Sequence, residues 1–525
     1  MSSPQDQLDR VCESPTFRGS PKVVALLKFL AADTLAAGGT APSARVIAVR
    51  VLGSEDADSR SAGAAVRMQV GRLRKLLDQY YAAEGARDHI RIELPLRDYR
   101  LRFVREGRPI SGADAPMSDS PELVVAATRF LVPEPAPAGL AEAFATNLLA
   151  ALGGHTLVAT IGPSAAPRLH GSSADAGGLP RHRPATFVLE TALQAAGDHV
   201  RVLATLVTGL PARQIWSQEY EFAVAPQVAG RSMAGVARRL AADVADESGA
   251  IVREIIRAST GKCPEELSGV EATATLWRYL ITGSQDDLVF ACRALDSALA
   301  RSPESPVMLL FWAAAHCQDY TSSLDPRARL PDLAKERIEA ARRTALGHPW
   351  IELVRAYVLW LTRHPGGVGA VVGQLDDATG SPTFRGMLGA IRVAADLDAD
   401  RGREMLAAAI ADSPRPLLWF HLCAALHDLR RGDLDAAERG LARIDAPTRP
   451  EPVVLKAAVA AARGDLASAR RLLGAVTDAL PEFHSIGETM LRRWLHDSHV
   501  DALAAAIQPL GIDWFHAPRT GVVRG

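Results

Sequence analysis

The segment from residue 65 to 85, AVRMQVGRLRKLLDQYYAAEG, constrains the fold of this chain more than any other stretch. At a helical rotation of about 100° per residue, six apolar side chains fall on one face, about as wide as a face that packs on a core. They are Val66, Val70, Leu73, Leu77, Tyr80 and Tyr81. Arg67, Arg72, Arg74 and Lys75 fall outside that face. The pattern therefore predicts an amphipathic helix with a positively charged outer side.

Two short segments after this helix predict a β-hairpin. HIRIEL (89–94) and YRLRFV (99–104) alternate apolar and polar residues, and LPLRD lies between them as a turn. A helix followed by a hairpin is the plan of a winged helix. DNA-binding winged helices place the helix in the major groove, and a basic hairpin contacts phosphates.

The distribution of charge favours nucleic acid over the alternative, which is a helix face that is simply solvated. Residues 61–108 hold eleven Lys or Arg against six Asp or Glu, a net charge of +5, whereas the whole chain has a net charge of −1. Such a local excess is typical of a nucleic-acid-binding surface. The candidate DNA contacts are Arg67, Gln69, Arg72, Arg74 and Lys75 on the helix and Arg91, Arg97, Arg100 and Arg102 on the hairpin.

Three segments in this order resemble the OmpR-type winged-helix domain that bacterial regulators join to tetratricopeptide repeats: residues 8–30, the basic helix and residues 90–103. The resemblance implies binding to double-stranded DNA. The chain departs from the family pattern at the hairpin tip, where Pro95-Leu96-Arg97-Asp98-Tyr99 replaces Pro-Lys-Gly-x-Tyr, and at residues 54–63, which lack the usual Phe-Asp lead-in. These departures favour an alternative, in which the winged helix no longer binds DNA and the protein is a protein-interaction scaffold.

The middle of the chain predicts a small α/β domain. Residues 109–121 are rich in Gly, Pro, Ser and Asp and predict a linker. Residues 122–260 then predict a strand, a helix, a second strand, a three-stranded meander from 186 to 222 and one helix from about 229 to 256. The hairpin FVLETALQAAGDHVRVLATLV with QIWSQEY resembles the TolB amino-terminal-like domain.

The last part, residues 265–525, predicts helices with an internal repeat. RRGDLDAAERGLARI (430–444) aligns with ARGDLASARRLLGAV (462–476), an offset close to the tetratricopeptide period of about 34 residues. Gly432 and Gly464 fit turns that need a positive φ. The segment resembles tetratricopeptide repeats, whose concave face would bind a protein partner or a second copy of the chain. The alternative is an irregular helical bundle.

No motif for catalysis, a cofactor or a metal stands out. The sequence has no phosphate-binding loop, nucleophile elbow or zinc-protease motif, and His496 and His499 lack a third ligand nearby. No run of eighteen or more uncharged apolar residues and no apolar leader occurs, so we expect a cytoplasmic chain that does not enter a membrane.

Together these patterns predict a multidomain α+β protein that is not an enzyme. It would consist of a winged helix (1–108), a linker, an α/β domain (122–260) and an all-α repeat array (265–525). The function that the sequence favours is a DNA-binding transcriptional regulator whose repeats bind protein. The alternative is the scaffold without DNA binding.

Overall fold

The computed structural model has a mixed α+β fold that is mostly helical. It describes residues 4–35, 44–51, 60–82, 84–85, 88, 90–94, 101–105, 108–110, 120–131, 139–162, 186–208, 213–224, 229–325, 327–330, 332–376, 378, 380–444 and 449–511. The chain divides into two compact units. The first contains residues 1–116 and 339–352, and the second contains residues 117–338 and 353–525.

The amino-terminal part of the first unit has helices followed by a small sheet. The helices are α1 (Pro4–Glu13), α2 (Pro15–Arg18), α3 (Pro21–Leu35), α4 (Ala44–Arg50) and α5 (Arg60–Ala82). The strands β1 (Ile90–Glu93), β2 (Arg102–Arg105) and β3 (Arg108–Ile110) form an antiparallel sheet in that order. The sequence predicted the first two strands, although longer. It did not predict β3, which pairs Pro109 with Val104 at the start of the predicted linker.

The core of this part confirms the predicted apolar face of α5. All six side chains of that face are buried, each with at most 6% of its surface exposed. Leu26, Leu27 and Leu30 of α3 and Ile47 of α4 belong to the same core. The helix begins at Arg60, earlier than its apolar pattern indicates. After it ends, the Gly85 N–H donates to the Tyr80 carbonyl at 2.8 Å, and a Cβ at Gly85 would overlap the Tyr80 ring.

The second unit begins with a six-stranded sheet in the order β6-β4-β7-β8-β9, with β5 beside β7. The strands are β4 (Glu122–Val125), β5 (Arg129–Phe130), β6 (Ala159–Ile161), β7 (Thr186–Ala196), β8 (His199–Thr208) and β9 (Gln214–Ala223). β4 runs parallel to β6 and β7, whereas β7, β8 and β9 form the antiparallel meander that the sequence predicted. Helix α6 (Leu140–Leu152) contributes Phe144, which stacks on Phe222 of β9.

The prediction of a single helix from 229 to 256 is wrong, because the structure has two helices there, α7 (Ala229–Ala245) and α8 (Ala250–Ser259). The break follows from a local polar contact. The carboxylate of Asp246 accepts the Ser248 backbone N–H at 3.2 Å and the Ser248 hydroxyl at 2.7 Å, which competes with a continuous helix. A Cβ at Gly249 would lie 2.8 Å from the Asp246 carbonyl oxygen, so the turn needs glycine.

The remainder is helical. The helices are α9 (Gly269–Thr282), α10 (Gln285–Arg301), α11 (Pro306–Ser322), α12 (Asp332–Thr344), α13 (Pro349–Leu361), α14 (Pro365–Gln374), α15 (Pro382–Ala394), α16 (Ala399–Asp412), α17 (Leu418–Arg431), α18 (Leu434–Leu441), α19 (Pro450–Ala462), α20 (Leu466–Ala479), α21 (Phe483–Trp494) and α22 (Asp497–Ile507). Within the part of the chain that the structure describes, no helix is both long and apolar enough to span a bilayer.

The predicted repeat appears in the structure as two equivalent helix pairs, α17–α18 and α19–α20. Gly432 and Gly464 end the first helix of each pair with φ of 79° and 85°, as the sequence predicted. The side chains of Asp433 and Asp465 then cap the second helices by accepting backbone N–H groups three residues later. Ala437 and Ala469 are fully buried where the paired helices meet. The carboxyl-terminal region is therefore repeat-like at the level of single residues.

Candidate nucleic-acid interface

The outward side of α5 presents a polar and basic surface. Met68, Gly71, Arg72, Lys75 and Gln79 are exposed there, opposite the buried apolar face. Lys75 lies near the centre of this side, because its helical position is about 180° from that of Val66. The exposed fraction of Met68 is 64%, unusually high for so large an apolar side chain. Among the side chains of α5 that the structure describes, the Lys75 ammonium and the Arg72 guanidinium are therefore exposed beside an apolar side chain.

Arg72 is held toward the start of α3. Its guanidinium donates to the Ser20 hydroxyl at 3.2 Å, and the Ser20 carbonyl accepts the first backbone N–H groups of that helix. Lys22, which follows at once in α3, is also exposed. The basic surface thus extends from α5 onto α3. Sequence reasoning did not single out Lys22, because it lies far from Arg72 along the chain and in no local pattern with it.

Arg74 has a different environment from Arg72. Its side chain is half-buried, and its Nε donates to the Leu94 carbonyl at 2.9 Å, directly after β1. The two arginines that the sequence grouped together therefore lie on opposite flanks of α5. Arg72 points toward α3, whereas the hydrogen bond from Arg74 holds α5 to the end of β1.

Gln69 is the uncharged member of the predicted set. Its side chain is half-buried on the same flank as Arg72, and its Oε1 is buried without a hydrogen-bond partner among the described residues. Buried polar atoms normally have a partner in the free or the bound state. A side-chain amide both accepts and donates hydrogen bonds, which is the capacity needed to read the edge of an adenine.

The hairpin is fixed to α5 through a tyrosine. The Tyr81 hydroxyl accepts the Ile92 backbone N–H at 2.6 Å, and the exposed Arg91 guanidinium lies 4.9 Å from the Tyr81 ring centroid. Burial raises the pKa of Tyr81, so the hydroxyl keeps its proton at neutral pH. Arg91 is thus a cation on a strand whose position relative to α5 is fixed.

A partly buried polar network ties α1 to the end of α5. Asp88 accepts hydrogen bonds from Tyr80 at 2.7 Å, from Gln7 at 2.7 Å and from Arg10 at 3.0 Å. Burial acts to raise the pKa of Asp88, but these hydrogen bonds outweigh it and hold the pKa below its usual value. The charged carboxylate therefore stabilises the base of the hairpin.

The other predicted contacts are described less completely. Arg102 begins β2 with its backbone opposite Glu93, and Arg67 lies in α5, but the side chains of both are outside the described part of the chain. Arg97 and Arg100, with the altered hairpin tip, also lie outside the described residues. For these four residues, as for the other predicted contacts, a role in DNA binding stays a prediction.

Helix α4, which packs on α5, adds apolar side chains to this unit's surface. Val46 and Val49 have exposed fractions of 42% and 50%. The two valines lie one helical turn apart and are therefore neighbours on one face of α4. Among the described residues, no cluster of His, Cys, Asp and Glu could hold a metal ion.

The sequence was compared with protein-family models and with curated proteins. No protein-family model matches the sequence, and none of the curated proteins compared with it shows significant similarity.

Proposed function

We propose that this chain is a DNA-binding transcriptional regulator whose amino-terminal part is a winged helix. The observation that carries the proposal is the exposure of Arg72 and Lys75 on the outward side of α5, while the apolar face of the same helix is buried. A helix with this division of its surface can enter the major groove without disturbing its own core. Guanidinium groups there form paired hydrogen bonds with guanine, and Lys75 supplies a further donor.

The hairpin supports the same function. Arg91 is exposed on a strand that Tyr81 holds against α5, so it can contact a phosphate when the helix lies in the groove. Arg97, Arg100 and Arg102 follow on the same predicted hairpin. These contacts would position the protein on DNA, and the residues of α5 would read the sequence.

The helical repeat-like region provides the second part of the proposal. Its helix pairs place small buried residues between stacked helices, as arrays with a concave binding face do. In the proposed regulator this region receives a protein partner or a second copy of the chain. The protein would act in the cytoplasm and without a catalytic step.

A salt-dependent titration of the full chain against a labelled DNA duplex tests the proposal. Each phosphate contact contributes about 0.9 to the slope of log K against log salt concentration, so a helix and hairpin with several contacts give a steep negative slope. A random duplex and a selected target should differ in affinity but share most of this slope. The absence of binding at low salt would contradict the proposal.

One observation favours a second function, a protein-interaction scaffold that does not bind DNA. Val46, Val49 and Met68 leave large apolar side chains exposed on the surfaces of α4 and α5. A protein–protein interface would bury them, whereas a phosphate backbone would not. Under this alternative the full chain fails to bind DNA, and Met68→Ser weakens capture of a protein partner.

A further inference from the structure

Among the strands that the structure describes, β9 pairs with β8 alone, so its outer edge is open. The Val224 N–H donates to the Asp198 carbonyl at 3.0 Å, which makes His199 and Ala223 a non-hydrogen-bonded pair of the antiparallel ladder. The ladder alternates from there, so Glu219 and Glu221 turn their backbone N–H and C=O groups away from β8. Ala223 shows the same orientation, because its outward N–H donates to the Ser232 hydroxyl of α7 at 3.1 Å.

An open groove of about 1140 Å³ runs beside this edge. Residues 218–221 of β9 line one side, and α7 and the turns that precede α15 and end α16 line the others. Among the described residues, the outward backbone groups of Glu219 and Glu221 make no hydrogen bond. An unpaired strand edge of this kind is a ready template for another extended segment.

The β9 side and the α7 side of the groove carry opposite charge. Glu219 and Glu221 lie 3.7 Å and 3.4 Å from the single guanidinium of Arg201, so two carboxylates share one cation and keep net negative charge. Arg238 and Arg239 of α7 are exposed on the other side, and Arg239 also acts electrostatically on Asp243 of the same helix. Successive side chains of an added strand point alternately toward these two sides.

We propose that the open edge of β9 binds an extended peptide segment as an added strand. The segment carries Lys or Arg at alternate positions, beside Glu219 and Glu221, and acidic side chains between them, facing Arg238 and Arg239. Main-chain hydrogen bonds to the edge give affinity, and the alternating charges fix the register. This site is separate from the proposed DNA surface and from the helix pairs of the repeats.

Charge argues against a second copy of β9 as the occupant. In an antiparallel pair of two β9 edges, Glu219 and Glu221 of one copy would face the same carboxylates of the other. Like charges directly opposite each other destabilise a strand pair. The glutamates therefore protect the edge from self-association while leaving it open to a complementary strand.

Fluorescence anisotropy with the full chain and a labelled synthetic peptide of alternating Lys and Glu tests this proposal. The control peptide has the same composition, with Lys and Glu in two separate blocks. We expect the alternating peptide to bind about tenfold more tightly or better, since only it matches both sides of the groove. Equal binding of the two peptides would overturn the proposal.

Two variants locate the site. Glu219→Pro removes a backbone N–H that points away from β8, so every hydrogen bond to β8 remains. Strands tolerate proline at such edge positions. The variant should weaken binding of the alternating peptide about tenfold or more. Glu219→Gln keeps that N–H and should lose much less. If Glu219→Pro melts early, the double variant Glu219→Lys with Glu221→Lys replaces it, because it keeps the backbone and reverses the charge.

Unchanged peptide binding by the folded Glu219→Pro protein, or by the double lysine variant, would overturn the assignment. Light scattering tests whether a second copy of the chain, and not a peptide segment, occupies the edge. A parent dimer that Glu219→Pro dissolves would show that a second copy fills the edge, which also overturns the proposal.

Discussion

Asp246 caps the amino-terminal end of α15 from a distant part of the chain, because its carboxylate accepts the backbone N–H of Thr383, 137 residues later, at 3.1 Å and the Thr383 hydroxyl at 2.7 Å. Both residues are fully buried. A carboxylate that follows α7 thus stabilises the amino-terminal end of α15, where the helix dipole is positive. The α/β sheet region and the helical region of the second unit share this contact.

Asp246→Ala should therefore lower the free energy of unfolding of the second unit by about 2 to 4 kcal/mol, because it leaves buried donors on Thr383 without an acceptor. Asp246→Asn is the matched control. It keeps one acceptor oxygen and should lose less. Urea unfolding followed by Trp fluorescence measures both, and an alanine variant as stable as the parent would show that the cap contributes nothing.

Glu247 predicts a dependence of stability on pH. Burial and the neighbouring Asp246 raise its pKa well above 4.5, and its Oε1 has no partner among the described residues. The folded chain therefore binds this proton more tightly than the unfolded chain does. Stability from this group is complete below about pH 4.5 and is lost as pH rises toward the folded pKa.

Glu247→Gln should remove that dependence, because the amide is neutral at every pH and can still hydrogen-bond to the Ser381 hydroxyl, which lies 2.6 Å from Oε2. At neutral pH the variant should be more stable than the parent, and the difference should shrink toward pH 4.5. Thermal melts of both proteins across this range test the sign. A difference that stays constant with pH would contradict the raised pKa.

The proposed DNA surface makes Arg72 and Lys75 the residues to change first. The double variant Arg72→Ala with Lys75→Ala should weaken binding to a selected duplex by one decade or more, at about 1 to 3 kcal/mol for each good base contact. Thermal stability should change little, because both side chains are exposed. The double variant Arg231→Ala with Arg470→Ala, at exposed positions of α7 and α20, removes the same amount of charge and is the control. Equal losses in both proteins would mean that only total charge matters.

Arg74 should behave differently, because its Nε donates to the Leu94 carbonyl. Arg74→Ala removes that hydrogen bond and should lower the free energy of unfolding of the first unit by about 1 kcal/mol. Arg74→Lys keeps the positive charge but lacks the planar guanidinium. Compared with Arg74→Ala, it should therefore recover more of the DNA affinity than of the free energy of unfolding. Melting curves and DNA titrations of both variants separate these roles. A lysine variant as stable as the parent would show that the Leu94 contact is unimportant.

The difference between Arg72 and Arg74 shows where sequence reasoning stops. Helical periodicity predicted the buried face of α5, because the spacing of residues within a helix decides which side chains share a face. It could not separate the two arginines, since their partners Ser20 and Leu94 lie 52 and 20 positions away. The break after α7 escaped prediction for a different reason: it follows from the polar contact between Asp246 and Ser248, which a reading of apolar spacing does not take into account.

The turn at Gly464 offers a test of the repeat with a control in the neighbouring helix. Gly464 has φ of 85° and no atoms around its Cβ position, so Gly464→Val meets backbone strain without a clash. A β-branched residue at positive φ should cost at least about 1 kcal/mol and loosen α19 and α20. Gly474→Ala, at an exposed helical site of α20 with equally open space, should instead stabilise by about 0.5 to 1 kcal/mol. Urea unfolding of the two variants should therefore shift in opposite directions. If Gly464→Val unfolds at the same urea concentration as the parent, the stability of the helix pair does not depend on this turn. The equivalence of Gly464 and Gly432 would then not extend to their contribution to stability.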